Sequence, residues 1–296
     1  MDLRKPFWQW VWLIALAFIW GSSFFLIKKG LISYSPPQIA AYRMLFAAIL
    51  VSPIAYKNIR KITRKNYIYL LEVAFIGNLI PSYLFAVGQT QVSSSLAGIL
   101  NAITPIFTLI VGVSLFKSKV TFVNLIGLFL GLVGSGGLIL KNGWQIDDDI
   151  AYTLLIVLAG IMYAFNLNTI KYLLQDIGGA ALTAIAFVFT LPVTIGYLLI
   201  FGYEPVAHTE IASLSLLYIF ILAFFSSALA VIGFNILVKY TSAIFAASVT
   251  YIIPVFAIIW GVFDGESVTL AQLLWLLVIV LGIHLVNKTK KKKPFG

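Results

Sequence analysis

Ten apolar segments, each close to the length that crosses a lipid bilayer, follow one another along the 296-residue chain. A transmembrane helix needs about 20 apolar residues. Backbone amides in hydrocarbon must be hydrogen-bonded within their own segment, and these segments are continuous rather than alternating, so each is predicted to be a helix. The ten predicted segments are residues 8–29, 37–56, 67–88, 94–115, 121–140, 151–172, 181–201, 213–237, 242–263 and 268–287.

The composition agrees with an all-α integral membrane protein. Hydrophobic residues make up 61% of the chain and charged residues only 10%, whereas soluble domains carry about 25% charged residues. The chain has no cysteine, which excludes disulfides and thiol chemistry. Two histidines, His208 and His284, are too few for a histidine metal site. We therefore expect no metal, no cofactor and no catalytic residues.

The placement of the charges predicts the orientation. A net charge of +10 could indicate a nucleic-acid partner, but the basic residues fall between alternate segments. They concentrate at 57–65 and 288–293, while acidic residues lie at 147–149, 204–210 and 264–266. Because cytoplasmic loops carry the excess of Lys and Arg, both termini are predicted to be cytoplasmic. The basic tail then rests on anionic lipid headgroups, and no nucleic-acid partner is expected.

The two halves of the chain resemble each other at a nearly constant offset. Trp20–Ser23 of segment 1 matches Tyr163–Asn166 of segment 6, and Pro105 of segment 4 matches Pro254 of segment 9. A unit of five helices ends on the opposite side of the membrane from its start, so the two copies must be inverted. Secondary transporters use this arrangement and bind their substrate between the repeats. The predicted units are residues 1–144, 145–287 and a basic tail, 288–296.

The matched prolines, Pro105 and Pro254, are predicted to bend their helices. Proline removes a backbone hydrogen bond, and a pair of matched bends can open a cavity. The alternative is that each proline is simply tolerated, as prolines often are in membrane helices.

Several short motifs resemble the EamA family of the drug/metabolite transporter superfamily. They are Trp20-Gly-Ser-Ser-Phe24, Tyr42-Arg43, Leu96 to Pro105, Ala246 to Pro254 and Val268 to Gly282. The resemblance covers nearly the whole chain. It implies an inner-membrane exporter or permease for amino acids, metabolites or drugs, with a cavity lined by spans 1, 3, 4, 6, 8 and 9. One departure is that Lys117-Ser-Lys119 lacks the acidic residue often found after span 4, although Glu266 follows span 9.

Polar and aromatic side chains form stripes along several segments. Side chains four and three residues apart share one helix face, and polar groups inside a membrane usually face protein or water. The alternative is that they hydrogen-bond neighbouring helices, at about 0.6 kcal/mol each. The predicted substrate-pathway residues are Trp20, Ser23, Asn78, Ser82, Phe85, Gln89, Asn101, Thr104, Tyr163, Asn166 and Thr250.

Two charged residues fall inside predicted segments. Arg43 in segment 2 could hold a substrate carboxylate or act as a structural lock. We favour the structural role, because the resemblance does not place span 2 at the cavity. Glu72 in segment 3 could couple transport to protons, but pairing with a lysine or extension of its carboxylate to the interface is favoured.

These patterns favour a secondary transporter that moves a small-molecule solute by alternating access. No phosphate-binding G-x-x-x-x-G-K-[ST] loop is present. With one basic residue at mid-membrane, amino acids or related metabolites fit better than phosphorylated cargo. An exporter of lipophilic drugs is the alternative within this fold. A membrane-embedded enzyme lacks the clustered catalytic groups it would need, and a channel lacks rings of polar side chains.

Overall fold

The computed structural model describes residues 3–118, 121–139, 149–207, 210–241, 243–247, 249–267 and 269–287. Within these ranges the chain is helical and contains no β-strand. The α-helices are α1 (Pro6–Gly30), α2 (Pro36–Asn58), α3 (Arg64–Ala74), α4 (Ile80–Gly88), α5 (Ser94–Asn101), α6 (Thr104–Ser114), α7 (Phe122–Ile139), α8 (Asp149–Leu173), α9 (Gly179–Phe201), α10 (Ala212–Ile221), α11 (Ala230–Tyr240), α12 (Ala243–Ala247), α13 (Val249–Phe263) and α14 (Leu270–Asn287).

Shorter helical segments connect some of these α-helices. A first π-segment, Phe75–Leu79, joins α3 to α4, and a second π-segment, Leu222–Leu229, joins α10 to α11. A 3-10 turn at Ile59–Lys61 follows α2. Single-turn π-helices inside longer α-helices often mark functional sites.

Eight helical stretches of the described residues are long and apolar enough to cross a membrane. Two further helices, α7 and α14, are apolar over shorter stretches, Phe122–Gly131 and Leu270–Gly282. Each of the ten predicted segments contains α-helix in its described part, and the prediction of a helical membrane protein is confirmed. The eight spanning stretches are Pro6–Gly30, Pro36–Asn58, Arg64–Gly88, Ser94–Ser114, Ile150–Leu173, Gly179–Phe201, Ala212–Tyr240 and Phe245–Phe263.

The helices pack around two apolar cores. The first core joins α1, α4, α5, α8 and α13 through residues such as Leu16, Leu100 and Ile156. The second joins α2, α3, α9 and α11 through residues such as Met44 and Phe187. Helices α7 and α14 pack against each other. This arrangement brings α1, α2, α4, α5, α8 and the first π-segment around a common space.

The two predicted proline bends differ in the structure. Pro105 lies in the first turn of α6, directly after Ala102 and Ile103 separate α5 from α6. Proline is well tolerated in that turn, because its missing N–H would have no partner there. Pro254 lies inside α13. The regular helix of the fourth span is therefore interrupted just before its proline, while α13 is continuous through Pro254.

A cluster of charged side chains ties the end of α1 to the start of α5. We call it the Glu266 cluster: Glu266 with Lys28, Ser94 and Ser95, and the neighbouring pair Lys29–Asp264. The carboxylate of Glu266 accepts hydrogen bonds from the backbone N–H of Ser94 (2.9 Å) and Ser95 (3.0 Å) and from the Ser95 hydroxyl (2.6 Å). Lys28 Nζ lies 3.1 Å from it. A carboxylate at a helix N-terminus satisfies amides that have no partner within the helix and is stabilised by the helix dipole.

Glu266 remains ionised in this position. Burial by itself raises the pKa of the Glu266 carboxyl, but hydrogen bonds from Ser95, Ser94 and Lys28 outweigh burial and hold the pKa below its ordinary value. Gly261 permits the close approach, because a Cβ there would collide with the Ser95 hydroxyl and the Glu266 carboxylate. The cluster thus depends on charge and on the absence of a side chain at Gly261.

Substitution of Gly282 tests the contact between α7 and α14. A Cβ at Gly282 would lie 2.7 Å from the carbonyl oxygen of Gly127 and from the amide nitrogen of Gly131. We expect Gly282→Ala to lower the thermal unfolding temperature of the purified protein, at a cost of about 1–3 kcal/mol for overpacking. Gly196→Ala in α9 is the control, because nothing lies within 4 Å of its added Cβ. Equal stability of the two variants would contradict the close packing.

Substitution of Glu266 should make stability depend on pH. A carboxyl whose pKa is lowered on folding stabilises the protein above its unfolded-state pKa, near 4.5, and loses that contribution as the pH falls through the folded-state pKa. Glu266→Gln should therefore unfold at a lower temperature than wild type at pH 7, because losing the cap lowers the free energy of unfolding by about 1 kcal/mol. The difference should shrink below pH about 4.5. Glu204→Gln, an exposed carboxylate, is the control. A pH-independent difference for Glu266→Gln would contradict the charged cap.

Candidate functional site

A cavity of about 120 Å³ lies inside the helix bundle. Its walls come from the first π-segment and from helices α1, α2, α4, α5, α6, α8, α11, α12 and α13. The lining residues are Trp20, Ser23, Phe24, Ile27, Arg43, Met44, Gly77, Asn78, Ser82, Phe85, Asn101, Thr104, Tyr163, Asn166, Leu167, Val231, Phe234, Asn235, Ala247, Val249 and Thr250.

Every predicted pathway residue except Gln89 borders this cavity. Gln89 is buried elsewhere, at the end of α4, and its side-chain amide donates to the backbone oxygen of Phe24 at 2.8 Å. Gln89 thus continues the sequence stripe of Asn78 and Ser82, but its side chain contacts helix α1 and does not line the cavity. The role of the cavity-lining residues in transport stays a prediction.

Aromatic rings form much of the wall. Phe85 stacks on Tyr163 with ring centroids 6.0 Å apart and also contacts Phe24 at 5.6 Å. Trp20 meets Phe234 edge to face at 5.1 Å. The indole N–H of Trp20 donates to the backbone oxygen of Ser226 at 3.0 Å, which fixes the ring at the cavity. Such walls bury the apolar part of a bound organic molecule.

Polar side chains gather where the helices are interrupted. The Asn78 amide donates to the Val73 oxygen at 2.7 Å across the first π-segment. Asn101 ends α5 at the interruption of the fourth span, and its side-chain oxygen lies 3.4 Å from the Thr104 hydroxyl. The side-chain oxygen of Asn166 is buried with no hydrogen-bond partner among the described residues. The cavity therefore offers amide and hydroxyl groups as well as rings.

Arg43 also borders the cavity, although the resemblance places span 2 outside it. Its side chain is 9% exposed, and its Nε donates to the Ser227 hydroxyl at 2.7 Å. The second π-segment packs against α2 and brings Ser227 to this position. Among the described residues no carboxylate forms an ion pair with Arg43. A charge at the centre of a membrane helix costs about 2.5–3.5 kcal/mol on insertion scales.

Glu72 lies near the end of α3, outside the set of cavity-lining residues. The favoured sequence interpretation, a lysine-paired or surface-reaching carboxylate, is wrong. Both carboxylate oxygens are buried and have no hydrogen-bond partner of normal geometry within the described part of the chain. The hydroxyl of Thr169 on α8 faces the carboxyl group. Within the described part of the chain Glu72 has no cationic partner, whereas Glu266 is paired with Lys28.

Some residues at the site were not found from the sequence. Phe234 and Asn235 of α11 line the cavity, and Asn235 donates to the Thr183 hydroxyl at 2.8 Å. Ser226 and Ser227 hold Trp20 and Arg43 in place. The available signal was weak: Ser226, Ser227 and Asn235 are among the few polar residues of an otherwise apolar segment, and Phe234 is one of its many apolar ones.

The described ranges contain no group of three or more His, Cys, Asp or Glu residues able to hold a metal ion. His208, Asp147, Asp148 and the basic tail 288–296 lie outside the described residues. His284 lies in the last turn of α14.

Comparison with known proteins finds similarity to membrane transporters. The model of the EamA-like transporter family matches residues 7–140 and again residues 150–288. The inner membrane transporter YedA of Escherichia coli (strain K12) is 31% identical over 291 residues, covering 95% of this chain and 91% of YedA. An S-adenosylmethionine/S-adenosylhomocysteine transporter of Chlamydia muridarum is 26% identical, covering 91% of this chain and 88% of that protein.

A crystal structure of a protein with 10% sequence identity matches with a TM-score of 0.68, covering 96% of this chain and 97% of the other. At that identity the match shows a shared fold alone. The two family matches together span almost the whole sequence, and the helical bundle is that of an integral inner-membrane protein. The chain therefore belongs to the EamA-like transporter family.

Proposed function

We propose that the chain is a secondary transporter that carries amino acids or closely related metabolites across the inner membrane by alternating access. The observation that carries this proposal is the cavity. Ten of the eleven polar or aromatic residues predicted from separate stripes of the sequence line it. Small-molecule sites combine apolar walls with a few placed polar groups, as this cavity does.

The proposed architecture has ten transmembrane helices in two inverted repeats, with both termini in the cytoplasm. The repeat units are residues 1–144 and 145–287, with 288–296 as the cytoplasmic tail. The two π-segments support this, because they lie in the third and eighth predicted spans, which are equivalent positions of the two repeats. The first π-segment lines the cavity and the second holds the cavity residues Trp20 and Arg43. Matched irregularities of this kind suit a mechanism in which one repeat rocks against the other.

Export of lipophilic drugs is the second candidate. The cavity volume of about 120 Å³ is smaller than the roughly 300–1,000 Å³ of sites for drug-sized ligands. None of its lining residues is acidic, so a lipophilic cation would find no counter-charge. The volume favours a small solute, and the absence of acidic lining residues disfavours a cationic drug. Transport of S-adenosylmethionine, suggested by the name of the Chlamydia muridarum relative, is a further solute to include in any panel.

Uptake by the purified protein in proteoliposomes tests the proposal. We expect saturable uptake of some members of a panel of labelled amino acids. Trp20→Phe removes the hydrogen bond to Ser226 at the cavity wall, and should lower the ratio of maximal rate to KM by about 5-fold or more. Trp10→Phe changes an exposed ring on the same helix and should behave as wild type. No saturable uptake of any amino acid by folded protein would reject the proposed cargo.

We further propose that Glu72 couples transport to a proton gradient. A buried carboxyl group with no cationic partner can bind and release a proton without breaking an ion pair, as in the proton relays of other transporters.

Glu72→Gln separates coupling from transport. We expect this variant to retain exchange of labelled for unlabelled solute across the vesicle membrane, and to lose the acceleration of uptake by an imposed pH gradient. Glu204→Gln, an exposed carboxylate in a loop, is the matched control and should respond to the gradient as wild type does. If Glu72→Gln still responds fully to the gradient, Glu72 is not the coupling group.

A further inference from the structure

The cavity contains one charged side chain, and that charge has no counter-ion among the described residues. A guanidinium group has five N–H donors and no acceptor, and it stays protonated in proteins. The Nε–H of Arg43 donates to Ser227. Among the described residues, ion pairs join Lys28 to Glu266 and Lys29 to Asp264, and neither involves Arg43.

The rest of the cavity wall is neutral. Apart from Arg43, its polar side chains are serine, threonine, asparagine, tyrosine and tryptophan. A buried charge is unfavourable unless an opposite charge or several hydrogen bonds compensate it. A single neutral hydroxyl compensates one donor of five. The positive charge of Arg43 is therefore only partly compensated, and an anionic group that entered the cavity would compensate it.

We propose that Arg43 binds the carboxylate of the transported solute, and that Ser227 positions the guanidinium for this contact. The inference rests on the proposed transport function and deepens it, because it assigns the substrate class: small organic solutes with a free carboxylate. Arginine presents a planar fork that matches the two oxygens of a carboxylate. A single arginine suits a monoanion better than a doubly charged phosphate ester.

The ammonium group and the side chain of an amino acid would also find partners in this cavity. The Asn166 side-chain oxygen, buried without a partner among the described residues, can accept from an ammonium group. The rings of Trp20, Phe85 and Phe234 form the apolar wall. A zwitterion would thus place its carboxylate at Arg43 and its side chain against the aromatic residues.

The position of Arg43 depends on the irregular backbone of the eighth span. Ser227 belongs to the second π-segment, and the preceding residue, Ser226, bonds to Ser23 of α1 at 2.6 Å between hydroxyl oxygens. Two neighbouring serines thereby link this segment to α1 and α2. Movement of the segment would move Ser227 relative to Arg43, so binding at Arg43 and the conformation of the eighth span are physically connected.

The test compares acids with their amides. Purified full-length protein is challenged with leucine, phenylalanine and threonine and with the three corresponding amides, and thermal stabilisation in detergent and uptake in proteoliposomes are both measured. For wild type we expect at least one acid to bind, and its amide to need roughly a 10- to 100-fold higher concentration, the value of hydrogen bonds to a charged group. Equal binding of acid and amide would overturn the inference.

Variants then assign the preference to Arg43. Arg43→Gln should remove the difference between acid and amide, and Arg43→Lys should restore part of it, because lysine keeps the charge without the fork. Ser227→Ala should weaken binding of the acid more than that of the amide. Ser52→Ala, on the same helix and away from the cavity, should match wild type. An equal loss of acid and amide binding in Arg43→Gln would show a structural role and overturn the inference.

Two further outcomes separate this inference from the proposed function. If an acid stabilises wild type in an Arg43-dependent way but is not taken up, carboxylate binding stands and transport of that solute is rejected. If amides are taken up as well as acids, transport stands and the role of Arg43 is rejected. Should Arg43→Gln fail to fold, the wild-type comparison and Arg43→Lys still decide the question.

Discussion

The need to hydrogen-bond every backbone amide inside hydrocarbon governs the structure. It makes each apolar segment a helix, and it also explains where polar side chains lie. At the two π-segments and between α5 and α6 the regular backbone hydrogen-bond pattern changes. At the π-segments, side chains donate hydrogen bonds to backbone oxygens. Asn78 donates to the Val73 oxygen across the first π-segment, and Trp20 donates to the Ser226 oxygen of the second. The first π-segment and the break between α5 and α6 border the cavity, and the second π-segment contacts the cavity residues Trp20 and Arg43.

Charge is distributed in two contrasting ways. In the Glu266 cluster, backbone amides, a hydroxyl and a lysine all converge on one carboxylate, so its charge is fully compensated. Arg43 at the cavity and Glu72 beside α8 have no such compensation within the described chain. The compensated charge of Glu266 links the end of α1 to the start of α5. The uncompensated charges are the ones for which we propose roles in transport.

Much of the candidate site could be predicted from the sequence because helical periodicity is short-range. Asn78, Ser82 and Phe85 share a face through the geometry of one helix, and that face borders the cavity. Gln89 continues the same stripe but lies past the end of α4, where its amide contacts α1. Periodicity predicts the direction of a side chain and not the element that faces it, so it could not distinguish a cavity wall from a helix contact.

The sequence by itself determined that the chain is a helical membrane protein, because the length and apolarity of the segments leave no other way to satisfy the backbone. It also determined family membership, through motifs spread over both halves. Only the tertiary structure decided that Arg43 borders the cavity, that Glu72 has no cationic partner among the described residues, and that Ser227 accepts a hydrogen bond from the guanidinium. Those relations join residues far apart in the chain, and they depend on how α2 packs against the second π-segment, which no local pattern encodes.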